Sequence, residues 1–182
     1  MSDWHPGIRP RESVWRQIDM AARGWFPATT TALLLLITAT PMGLPGQAEL
    51  QAPLALACVV FWSLYRPNSM SPIVVFVLGL LVDLLGYAPP GVFMIVLLSA
   101  YGIAQRGRRM LVRGGFVLVW TAFVVLATLA AGAQWALTCL MRLTLLPSGP
   151  ILLQAAFAAG LYPPLALLLT RVQQSLAAPE RA

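Results

Sequence analysis

The chain has 182 residues, of which 59% are apolar and only 10% charged, and its mean hydropathy is +0.78. That leaves too little charged surface for a soluble domain of this size, so lipid is the solvent to reason from. Twelve arginines, with no lysine, face six carboxylates for a formal net charge of +6; they sit between apolar segments and not along one exposed face, a pattern that argues against nucleic acid and for anionic lipid headgroups as partners.

The segment from Arg11 to Trp25 is the first with a pattern of its own. At 100° per residue, Val14, Ile18, Ala21, Ala22 and Trp25 share one face of a helix, opposite Glu12, Arg16, Asp19 and Arg23. Glu12 with Arg16, and Asp19 with Arg23, are pairs four apart in the favourable order. Such a helix suits the surface of a leaflet, as a lipid anchor or as a docking site for a cytoplasmic partner. With this polar stretch ahead of the first apolar run, no cleavable signal peptide is visible, and the first span is expected to stay in the mature chain.

A membrane span needs roughly 20 apolar residues, with about 17 tolerated. Six stretches approach that length: 25–40, closed by Pro41, Gly43 and Pro45; 48–65; 71–88, closed by Pro89, Pro90 and Gly91; 91–104; 114–137; and, after Pro147 and Pro150, a sixth running to residue 170. Tyr162-Pro163-Pro164 lies within the last, where a kink or a break is expected because proline removes a backbone donor. Arginines in alternate loops set the orientation. Eleven of them (9, 11, 16, 23, 66, 106, 108, 109, 113, 171 and 181) fall on one side and Arg142 alone on the other, which places both termini in the cytoplasm. Trp25, Trp62 and Tyr65 are expected at the inner boundary and Trp135 near the outer one. The expected fold is therefore an all-α integral membrane protein of about six transmembrane helices. Its parts are a cytoplasmic tail with the interfacial helix (1–24), the membrane domain (25–170) and a short cytoplasmic tail (171–182).

Catalytic and metal-binding constellations are missing from this pattern. Cys58 and Cys139 are far apart with no paired histidine, the sole histidine is His5 in the tail, and no nucleophile elbow, zinc motif or phosphate loop occurs. No metal or cofactor is expected, and no enzyme activity. Between Arg23 and Arg106 the ionisable Asp, Glu, Lys, Arg or His side chains are Glu49, Arg66 and Asp83. Glu49 falls in an outer loop and Arg66 at an inner boundary, so Asp83 is the charge that needs explaining. An ionised aspartate at the centre of a span costs about 2.5 to 3.5 kcal/mol. Position 83, past the midpoint of its span, softens that cost. Gly79, Asp83 and Gly86, spaced four and three apart, share a face on which a neighbouring helix can approach closely. Arg142, Tyr87, Gln134 or a residue of a partner protein are the candidate polar partners of Asp83.

The run Gly79-Leu-Leu-Val-Asp83-Leu-Leu-Gly86, followed by Gly91 and a leucine-containing span to Tyr101, resembles the hallmark segment of the rod shape-determining protein MreD family, and the arginine-rich segment after the fourth span is similar too. The resemblance implies a multi-pass subunit of the bacterial inner (cytoplasmic) membrane, a scaffold of the cell-wall elongation machinery acting with MreC, the MreB filament and the lateral peptidoglycan synthases. It also implies an architecture similar to the substrate-binding subunits of vitamin transporters, by analogy of fold alone. The alternative function is such a transporter subunit, which needs several polar groups converging on a cavity; Gln134, Tyr87 and Thr38 are the available ones.

Overall fold

The computed structural model describes residues 14–40, 47–67, 69–86, 89–144, 147 and 149–177. They form six helices and, among the described residues, no strand: α1 (Val14–Ala39), α2 (Gln47–Tyr65), α3 (Pro72–Leu85), α4 (Val92–Arg113), α5 (Gly115–Arg142) and α6 (Gly149–Ala177). His5 and Tyr87 lie outside the described residues. The side chains of 14–24 are likewise outside them, and with these most of the two faces of the amphipathic segment. Among the described residues two helical segments, Gly115–Arg142 and Leu152–Arg171, are long and apolar enough to cross a membrane, whereas Trp25–Ala39, Glu49–Tyr65 and Pro72–Leu85 are apolar but shorter.

Helix α2 is the axis of the bundle. It carries no polar stripe, and every residue from Gln51 to Leu64 is buried, as expected of a helix that is apolar all round. The other five helices all pack on it, and around it α1 meets α3, α3 meets α4, α4 meets α5, and α5 meets α6. Small residues on α2, among them Ala52, Ala55, Ala57 and Cys58, admit neighbours from several directions. Trp62 is 1% exposed and packs edge-on to Phe26 of α1 and to Phe61. It belongs to the core, not to an interfacial belt, while Trp25 and Tyr65 are exposed. Burial on all sides of α2 outweighs the general preference of tryptophan for the membrane surface.

Several elements run further than their apolar stretches. From Val14 onward the amphipathic segment and the first span form one helix through Pro27. Helix α4 continues past Ala104 to Arg113, so Arg106, Arg108, Arg109 and Arg113 stand on helix and not in a loop, and Gly114 alone joins α4 to α5. Arginine is a good helix former, and nothing between Ala104 and Arg113 other than Gly107 interrupts it. Helix α6 is unbroken through Pro163 and Pro164. Pro163 has no N–H for the carbonyl of Ala159 four residues earlier, and the indole Nε1 of Trp120 on α5 donates to that oxygen at 3.1 Å. A neighbour thus replaces the bond that proline removes.

Candidate functional site

Helix α3 starts at Ser71, whose hydroxyl accepts a bond from the Val74 amide at 3.3 Å, with Pro72 in the first turn. It ends at Leu85, and the Gly86 amide donates to Val82 O at 2.9 Å, so Gly86 stands just past the helix as its cap. Asp83 falls in the last turn. Four residues earlier, on the same face, Gly79 lies against α4 so closely that an added Cβ would stand 2.7 Å from the Cα of Met94.

That approach puts the Asp83 carboxylate over the start of α4. Its Oδ2 accepts from the amides of Gly91 at 2.9 Å and Met94 at 3.0 Å, and its Oδ1 from the amide of Phe93 at 3.0 Å. The first amides of a helix have no partner within it, and Gly91, the residue at the cap position, has no side chain to offer. Asp83 therefore caps α4 from the neighbouring helix. The negative charge also faces the positive end of the α4 dipole. At 4% exposure the carboxylate is removed from water, and three charge-assisted bonds replace its hydration. Gly91 completes the turn with φ of 94°, a conformation that residues with a Cβ rarely adopt.

The structure brings Gly79, Asp83 and Gly91 together and sets Gly86 at the adjoining helix end. Arg142 is elsewhere, exposed at the last residue of α5, and it is not among the partners of Asp83. Gln134 accepts from Nε2 of Gln154 at 3.1 Å, linking α5 to α6, and the Thr38 hydroxyl bonds carbonyls of its own helix. Among the described residues no group of histidine, cysteine and carboxylate could hold a metal ion.

A second set of contacts fastens the far end of the hairpin, and sequence reasoning missed it. Arg108 donates from Nε to the Leu64 carbonyl at 2.7 Å, placing a cation at the C-terminal end of α2. The Tyr101 hydroxyl donates to the Met70 carbonyl at 2.7 Å and accepts from Nε2 of Gln105 at 3.1 Å. Leu97, Tyr101, Ala104 and Arg108 are spaced at helical intervals on the face that meets the bundle, and that spacing was the available signal.

The model of the rod shape-determining protein MreD family matches residues 23–172. The chain belongs to the MreD family. Membership supports a role in rod-shape determination within the shape-determining complex, and with the apolar helices it makes this a membrane protein. In MreD terms the match takes in the whole α3–α4 hairpin and both of its fastenings. Searches among curated proteins and among solved structures return no match.

Proposed function

We propose that the protein is a multi-pass subunit of the bacterial cytoplasmic membrane, with both termini in the cytoplasm, and that it acts without enzymatic chemistry as a scaffold for cell-wall elongation, joining MreC, MreB and the lateral peptidoglycan synthases. Family membership supports the setting, and the arginine distribution supports the orientation. The observation that carries the scaffold reading is the capped hairpin. Gly79, Asp83 and Gly91 use the one buried carboxylate among the described residues to fix two helices to each other. Held in this way, α3 presents Ile73, Phe76, Val77, Leu80 and Leu84 outward as a fixed apolar face, a suitable surface for a partner helix within the bilayer.

Depletion in the native host tests the function: rod-like cells should round up, and normal shape after complete depletion would refute the scaffold. A growth defect relieved by a vitamin would instead support a transporter subunit. Orientation has its own test. In a variant lacking the native cysteines, Arg109→Cys should resist a membrane-impermeant thiol reagent in intact cells and react once the cells are opened.

A further inference from the structure

Helices α4 and α5 diverge from Gly114 into an open apolar groove of about 190 Å³, lined by Ile95, Ser99 and Ile103 on one side and by Leu126, Ala130 and Ala133 on the other. The Ser99 hydroxyl donates its proton to the Ile95 carbonyl at 2.8 Å, and the other side chains that line the groove are apolar. From Ile95 to Ile103 it extends about 12 Å along the α4 axis, close to the hydrocarbon depth of one leaflet, about 15 Å.

Arginines stand below its Ile103 end. Arg106 follows within one turn, with Arg109 and Arg113 beyond, all three exposed. Among the described residues none of these guanidinium groups has a hydrogen-bond or ion-pair partner, in contrast to Arg108. Because α4 and α5 fold back on each other at Gly114, these cations stand near the level of exposed Phe116 and Val117 of α5. Cations beside a lipid-facing apolar surface call for an anion at the same depth. Phospholipid phosphate meets that need while its acyl chain meets the need of the groove.

We infer that the α4–α5 groove is a binding site for one anionic phospholipid of the cytoplasmic leaflet, its acyl chain lying between Ile103 and Ala130 and its phosphate held by Arg106 and Arg113, with Arg109 beside them. The inference rests on the membrane orientation proposed above and is independent of the scaffold's protein partners.

The test is native mass spectrometry of the full chain in detergent, offered equal amounts of phosphatidylglycerol and phosphatidylcholine with the same acyl chains. Phosphatidylglycerol should be retained in preference. Arg106→Gln and Arg113→Gln should each reduce that preference about fivefold, and Arg106→Lys should preserve it. Ala130→Phe, checked for native helix content by circular dichroism, should abolish retention by filling the groove. Equal retention of the two lipids, or a preference indifferent to the arginine changes, overturns the site. Retention unaffected by Ala130→Phe also overturns it and leaves the groove to another occupant such as a partner helix. A chain that stays soluble without detergent would refute the membrane reading itself, a result distinct from any of these.

Discussion

The two ends of α4 solve opposite problems. At its start, three amides lack partners and the protein supplies an anion from within, Asp83 of α3. At its end, four arginines gather within eight residues, and the protein supplies an acceptor for one of them, the Leu64 carbonyl for Arg108. The first end is closed on itself, whereas the second is fastened at Arg108 and left open to its surroundings at Arg106, Arg109 and Arg113. Polar groups at membrane depth therefore do not share one meaning: enclosed ones order the bundle, and exposed ones look outward.

Breaking the closed end should have the largest effect. Asp83→Ala leaves three amides without their acceptor, each such loss being worth about 1 to 3 kcal/mol. We expect a loss of about 3 kcal/mol or more in thermal unfolding of the purified chain, with a smaller loss for Asp83→Asn, which keeps one acceptor oxygen. Unchanged stability of Asp83→Ala would sink the capping account. Next in size comes Gly79→Ala. The new Cβ, 2.7 Å from the backbone of Met94, must push α3 and α4 apart, at a cost of about 1 to 3 kcal/mol. A fully stable Gly79→Ala protein would mean that the two helices can separate without weakening the cap. The smallest effect sharpens the comparison by testing a neutral donor away from α4. Trp120→Phe removes the bond to the Ala159 carbonyl and should cost about 1 kcal/mol, visible as a modest drop in melting temperature with helix content unchanged.

Apolar runs in the sequence mark part of each of the six described helices, although α1 and α4 run beyond theirs into charged segments. The exceptional character of Asp83 and its face shared with Gly79 are legible for the same reason, a lone charge in an apolar run. The partner of Asp83 is not legible, because it is made of backbone amides, which any helix start provides and no side-chain pattern records. Arg108 is hidden among its neighbours: counting arginines by loop assigns orientation but cannot tell the one that turns inward from those that do not. Trp62 illustrates a further limit, since its place next to an expected boundary outweighs, in a linear reading, the absence of any polar face on α2.

The burial of α2 on every side has a consequence for how the protein is made. Helix α2 is covered in part by α6, which is synthesised after the other five described helices. Until α6 arrives, one flank of α2 must rest against lipid or against whatever holds nascent helices in the membrane. Its composition permits the delay, because the alanines, leucines, valines and aromatics that later pack against protein are equally at home in acyl chains. The core thus cannot be completed before α6 is made, and a chain arrested before α6 would carry its axis bare on that flank.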